Sequence, residues 1–283
     1  MGAARLATHM TQNTPTAPAV RIGVFDSGLG GLSVLRSIRQ RLPTAQLLYV
    51  ADSGHAPYGE RSDDYICARS LAIAEFLYGQ GAQLLVIACN TATAAAATAV
   101  RARYPEGRIV GVEPGLKPAA ALTRNGRVGV MATSGTLRSD RFRLLAQAHA
   151  AHLDLRLQAC TGLAAAIESG EVDAPAVRER VATHCTALRT QDVDTVVLGC
   201  THYPFVAHHI QAEMGPDVRL IDTSDAVARR TVALASGLPA MPESAAASHA
   251  RLWTTGDLGT LQDFAHRWLD FPCTLAPWTT PAG

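Results

Sequence analysis

The chain has 283 residues, a formal net charge of +1, 48% hydrophobic residues and 5% aromatic residues. That length fits one large domain or two small ones, and the near-neutral charge excludes the basic, aromatic-rich face of a nucleic-acid binder and the charge of a membrane-surface protein. No apolar run reaches the roughly 18 residues of a membrane span. Residues 1–20 lack the apolar core of a secretory signal and read as a flexible lead-in, part of it an added segment or an alternative start at Met10.

From Arg21 onward, strand-like runs are expected at 21–26, 46–51, 83–88, 108–112, 127–132, 153–158, 194–199, 218–222 and 251–254. Helix-like segments fill most of the gaps, for example 62–78, 174–189 and 224–236. Such alternation predicts βαβ units and parallel sheets. Two of the runs share an unusual ending. LLVIACNTAT (84–93) and TVVLGCTHYP (195–204) each pass from an apolar run, through a small residue and a cysteine, into polar groups. A lone cysteine at such a place is most often a buried small hydrophobe; the repetition argues for more. RIGVFDSGLGGLSVL, from Arg21, also resembles RVGVMATSGTLRSD, from Arg127, and each leads to its cysteine after a similar interval.

The expected architecture is therefore α/β: two similar open parallel-sheet domains facing each other across a central cleft, related by pseudo-twofold symmetry. Residues 114–222 form the second domain, inserted into a first domain of 21–113 plus 223–283. Ligands of open parallel sheets bind at the carboxyl ends of the strands, which puts Cys89 and Cys200 on opposite sides of one cleft.

Two facing thiols suit few chemistries. A redox pair ordinarily uses CxxC, and neither CxxC nor HxxxH spacing occurs, so no metal site is expected. The six cysteines are widely spaced, as free thiols in a reducing cytosol would be. Removal and return of a proton on opposite faces of one carbon is the other reading. One cysteine then acts as thiolate and the other as thiol, both accessible from an ordinary thiol pKa of about 8.5. Helices expected at 91–103 and 201–213, the latter with Pro204 near its start, would favour the thiolate through their N-termini. Lys117, in EPGLKPAA, is the only lysine. It leaves little for a pyridoxal phosphate enzyme, which needs a lysine Schiff base.

Five motifs in order, FDSGLGG (25–31), ADSGHAPYGERS (51–62), ACNTA (88–92), EPGLKPA (113–119) and GCTHYP (199–204), resemble the glutamate racemase family, a likeness that runs from about Ile22 to Leu234. The resemblance implies cofactor-free interconversion of L- and D-glutamate, with D-glutamate feeding peptidoglycan synthesis in the cytoplasm, and a chain that acts on a small molecule and pairs as a homodimer. It implies that Cys89 deprotonates D-glutamate and Cys200 deprotonates L-glutamate, supported by Asp26, His202 and Glu168. It assigns substrate binding to Asp26, Ser27, the Pro57-Tyr58-Gly59 segment, Asn90, Thr91, Thr133, Thr136, Thr201 and His202.

Short hydroxyls and helix N-termini suit carboxylates, and Asp26 suits the ammonium. Plainer roles stand beside these: a turn or helix cap for Asp26, a backbone-bonded histidine for His202, and a surface helix end for Glu168. The DSGLGG glycines match neither GxxxxGK[ST] nor GxGxxG and read as turn and close-packing residues. Arg61 stands where the family pattern has lysine, and Phe142 where tyrosine is common. Cys67, Cys160, Cys185 and Cys273 read as packing residues in helix-like or tail contexts. An aspartate or hydantoin racemase, a binding module with inert thiols and a thiol-redox protein are the alternative readings.

Overall fold

The computed structural model describes residues 20–239 and 249–279, so the lead-in expected at 1–20 lies, but for its last residue, outside the described residues. The chain begins with strands β1 (Arg21–Asp26), β2 (Gln46–Ala51), β3 (Leu84–Ile87) and β4 (Arg108–Gly111). Helices α1 (Leu32–Arg41), α2 (Asp63–Gly79) and α3 (Asn90–Arg103) alternate with them. It crosses through α4 (Leu116–Leu122) into β5 (Arg127–Ala132), β6 (Asp154–Ala159), β7 (Thr195–Gly199) and β8 (Arg219–Ile221). These are joined by α5 (Ser134–Arg138), α6 (Asp140–His149), α7 (Leu163–Glu168), α8 (Pro175–Arg189) and α9 (Ala207–Met214). It returns through α10 (Ser224–Ala235) to β9 (Ala250–Thr254), α11 (Leu258–Trp268) and β10 (Cys273–Pro277).

The result is two open α/β sheets, ordered β10-β9-β2-β1-β3-β4 and β6-β5-β7-β8. Every strand pair is parallel. The run β2-β1-β3-β4 has the same order as β6-β5-β7-β8, so β1 corresponds to β5 and β3 to β7. In each half the first strand lies between the second and the third. The chain thus reverses direction across the sheet at β1/β3 and again at β5/β7, the kind of place where α/β sheets open a binding crevice. The central strands β1, β3, β5 and β7 are buried almost throughout, as strands covered by helices on both faces must be.

One apolar cluster joins the halves, running from Val24 and Leu35 of the first to Val196 and Phe205 of the second. Phe205 meets Phe264 of α11 edge-on at 4.9 Å and packs 4.7 Å from Trp268. This aromatic trio ties the segment after Cys200 to the other half.

Two expectations need correction. Cys273, read as a tail residue, lies in edge strand β10 paired with β9. The half-exposed pattern of β10 carries none of the apolar run that betrays an interior strand. The single helix expected at 201–213 is instead a 3₁₀ turn at Tyr203–Val206 followed by α9. Pro204 sits in the first turn, where its missing N–H is tolerated, and the α-helix starts only at Ala207. Among the described residues, no helix is long and apolar enough to cross a membrane.

Candidate active site

At the carboxyl ends of β1 and β3 on one side, and of β5 and β7 on the other, lies a cavity of about 310 Å³. This is the low end of the range for small-molecule sites. Cys89 and Cys200 both line it. So do Ser27, Asn90, Thr91, Thr133 and Thr201, the Pro57-Tyr58-Gly59 segment, and the acid and base Glu168 and His202. Asp26 and Thr136, expected to touch a ligand, stand behind this wall, 0% and 1% exposed.

Cys89 is the N-cap of α3, its sulfur accepting from the Ala92 N–H at 3.4 Å. The thiol donates to Ser27 Oγ at 3.5 Å. Helix geometry alone favours a thiolate here, as expected. The structure overrides that expectation: burial, then the charge of Asp26, push the thiol well up, and the Ala92 N–H recovers only part of the shift. Cys89 therefore rests as a thiol at neutral pH.

Asp26 ends β1. Its carboxylate accepts from the Ser27 N–H at 2.6 Å, from Ser27 Oγ at 3.0 Å and from Thr201 Oγ1 at 2.8 Å across the cleft. Complete burial raises its pKa, against the pull of His202 and Thr201. It holds the cleft walls together rather than capping α1, whose N-cap is Gly31 with no side-chain cap bond.

Beside Cys200, His202 presents Nδ1 to the sulfur at 3.7 Å and Nε2 to Glu168 Oε2 at 2.5 Å. Burial alone would lower the imidazolium's pKa, but hydrogen bonds to Cys200 and Glu168, and their charges, carry it well above its usual value. The reverse holds for Glu168. Burial raises it, yet bonds from His202, Ser53 and the Leu29 N–H leave it below its usual value. The plain surface-end reading of Glu168 thus gives way to a carboxylate turned into the cleft. A Cβ on Gly28 would sit 2.2 Å from Glu168 Oε1, and one on Gly30 would sit 2.4 Å from His202 Nδ1. The glycines of DSGLGG let the backbone pass directly beneath this pair.

Hydroxyls close the cleft elsewhere. Thr91, in the first half, meets Thr133 at 2.9 Å and Thr136 at 3.4 Å in the second, and Thr133 Oγ1 accepts from the Thr136 N–H at the start of α5. Asn90 Oδ1 is buried without a hydrogen-bond partner, so a polar acceptor on the wall awaits a donor.

Four residues that support the wall, Asp52, Arg69, Thr255 and Tyr49, went unassigned in the sequence. Asp52 accepts from Tyr58 Oη at 2.5 Å, from Arg69 Nε and Nη2 at 2.9 and 2.7 Å, and from Thr255 Oγ1 at 2.9 Å. This bidentate pair fixes Tyr58 in the wall. Tyr49 Oη donates to the Gly28 carbonyl at 2.5 Å and pins the glycine loop. Asp52 lay inside the quoted ADSGHAPYGERS motif, but Arg69, in α2 just past it, and Thr255, far along the chain, carried no local signal. Of the two departures from the family pattern, Arg61 is exposed beside the Tyr65 ring and Phe142 is buried in the second half.

Two parallel α/β halves, each bringing a thiol from the same strand end to a shared small cleft, define the class of protein. The chain matches the family model described as Asp/Glu/Hydantoin racemase over residues 22–231, and it belongs to that family. It is 51% identical over 241 residues to the glutamate racemase of Ectopseudomonas mendocina (strain ymp), spanning 85% of this chain and 91% of that protein. To the glutamate racemase of Pseudomonas aeruginosa (strain UCBPP-PA14) it is 50% identical over 234 residues, 83% of this chain and 88% of that one. Among solved structures, Escherichia coli glutamate racemase in complex with L-glutamate and the activator UDP-MurNAc-ala superposes with a TM-score of 0.83 at 31% identity, over 94% of this chain and 100% of that one. The Francisella tularensis glutamate racemase in complex with D-glutamate gives 0.77 at 25% identity, over 93% and 98% of the two chains.

Proposed function

We propose that this chain interconverts L- and D-glutamate by two-base proton transfer at the alpha carbon, with Cys89 and Cys200 as the acid/base pair. One observation carries the reading: two thiols from equivalent strand ends of the two halves line one small cavity. The glutamate racemases among its relatives, and the neighbours bound to L- and to D-glutamate, supply the substrate.

In one direction Cys89, as thiolate, takes the alpha proton of D-glutamate: the C–H bond breaks and an S–H bond forms. Cys200, as thiol, returns a proton to the opposite face and is left as thiolate. The reverse direction starts from that state. Asp26, its carboxyl raised by burial, is the acceptor that frees the Cys89 thiolate, and the His202–Glu168 pair serves Cys200. Hydroxyls of Thr91, Thr133 and Thr201, with the N–H groups at the start of α3, bind the carboxylates. The unpartnered Asn90 Oδ1 accepts from the ammonium. Asp26, held behind Ser27 and Thr201, acts on the ammonium through them. Lys117 is exposed on α4 and absent from the cavity wall, so no Schiff-base step is assigned.

In this reading the working units are 21–113 with 223–283, and 114–222. The enzyme is cytoplasmic, its D-glutamate supplies peptidoglycan synthesis, and a homodimer is the working form.

The test is exchange in deuterated water. Purified chain with L-glutamate should incorporate deuterium at the alpha carbon while D-glutamate accumulates. Cys89→Ser and Cys200→Ser should each lose about 10²–10⁴-fold in racemisation, the usual worth of a positioned acid or base. Wild-type turnover in either variant would end the two-base reading. Exchange on aspartate but not glutamate would change the substrate and keep the mechanism.

A further inference from the structure

Among the described residues, one group of metal-ligating side chains stands apart from the cleft. The ligand atoms of Asp173, His208 and His209 all lie within 4.8 Å of one another. His208 and His209 belong to the first turn of α9, just after the Cys200–His202 segment. Asp173 sits in the turn between α7, which ends in Glu168, and α8. We propose that these three residues bind a divalent transition-metal ion of the zinc, nickel and copper group, which fastens that turn to α9.

The geometry is specific. Nε2 of His208 and Nε2 of His209 approach the same oxygen, Oδ1 of Asp173, at 3.2 and 2.9 Å. Neighbouring side chains on a helix ordinarily diverge by about 100°. Here the two rings lie with centroids 3.9 Å apart, both turned to one point. Two imidazole nitrogens and a carboxylate oxygen form a donor set that zinc, nickel and copper favour and that calcium or magnesium does not. Bonds of about 2.0–2.2 Å to a tetrahedral ion place neighbouring donors about 3.3 Å apart. The two nitrogen–carboxylate distances therefore need only lengthen by a few tenths of an ångström, and the two imidazole nitrogens, within 4.8 Å of each other, settle at the same spacing, the ion taking the place of the N–H protons now aimed at the carboxylate. Side chains of His208 and Asp173 are 56% and 60% exposed, which leaves the remaining coordination positions to water, while His209 at 17% is held by its surroundings.

The site was invisible in spacing rules. Asp173 precedes the histidine pair by more than thirty residues, and an adjacent His-His forms no chelating motif by itself. Only the packing of α8 and α9 closes the triangle.

The experiment titrates the full chain with cobalt(II), read by absorption, and with zinc, read by equilibrium dialysis and thermal melting. One ion per chain should bind, with cobalt d–d bands but no thiolate charge-transfer band. Affinity should fall at least tenfold in each of Asp173→Asn, His208→Ala and His209→Ala, and zinc should raise the melting midpoint of the wild type but not of the triple variant. Binding that survives in the triple variant, a thiolate band, or a wild type that binds no more than the triple variant would overturn the site. The variants lie at the surface, and their metal-free melting midpoints check that they fold. None of these readouts depends on racemisation, so the outcome is independent of the proposed function.

Discussion

The pKa of Cys89 is set by burial first and then by opposed neighbours around the strand end. Burial and Asp26 raise it, and the N–H of Ala92 and the hydroxyl of Ser27 lower it. Replacing Asp26 by Asn removes the like charge, so the Cys89 pKa should fall while racemisation is lost. The pH dependence of alkylation by iodoacetamide reads the first effect, and an unchanged or higher titration point would show that Asp26 does not act on this thiol. The His202–Glu168 pair predicts a stability window. His202 is raised in the fold, so its contribution is complete below its ordinary 6.5, declines above it and is gone once pH passes the folded value. Glu168 is lowered, so its contribution is complete above its ordinary 4.5 and is lost as pH falls through the folded value. The stability difference between wild type and Glu168→Gln should therefore be largest between these two values and shrink on both sides, measured by urea unfolding across pH. A difference that does not vary with pH would remove the charge pair. At Asp52, substitution by Ala strips a buried guanidinium of its bidentate partner and should cost about 3–5 kcal/mol, with substrate KM rising as Tyr58 loosens. Thermal unfolding with steady-state kinetics checks both.

At the scale of elements, the features that aim the site are a glycine loop and a 3₁₀ turn. The motif FDSGLGG was legible as close-packing glycine, because no phosphate fingerprint fitted it. What packs against it was not legible: Glu168 and His202 arrive from α7 and from the turn after β7, far along the chain. The turn at Tyr203–Val206 was hidden for a similar reason. Its residues have a helix-like pattern, and only the docking of Phe205 between Phe264 and Trp268 shows why the chain turns there. Phe205→Ala should destabilise by about 3–5 kcal/mol through the cavity it leaves, and a measured loss below about 1 kcal/mol would mean that the trio does not join the halves.

For the whole molecule, the two halves share one apolar cluster, so unfolding should be a single cooperative step. Trp253 and Trp278 lie in β9 and the segment after β10, and Trp268 of α11 packs on Phe205 of the second half, so tryptophan fluorescence reports the first half and its seam with the second. Its urea midpoint should coincide with that of the far-ultraviolet circular dichroism, which reports both halves. Separate midpoints would show halves that fold independently.

The residues themselves determined the parallel α/β class, because both-face burial demands continuous apolar strands and crossovers demand helices between them. They also marked the two junctions at Cys89 and Cys200, since a thiol placed twice at the same kind of strand end is a local pattern and local patterns survive in one dimension. Tertiary structure alone decided the electrostatics and the partners. Whether Cys89 rests as thiol or thiolate depends on desolvation and on Asp26. The reach of Glu168 depends on a loop more than a hundred residues away, and the meeting of Asp173 with His208 and His209 depends on how α8 and α9 pack. Charge and coordination act through space, and the distances that govern them are fixed only when the chain has folded.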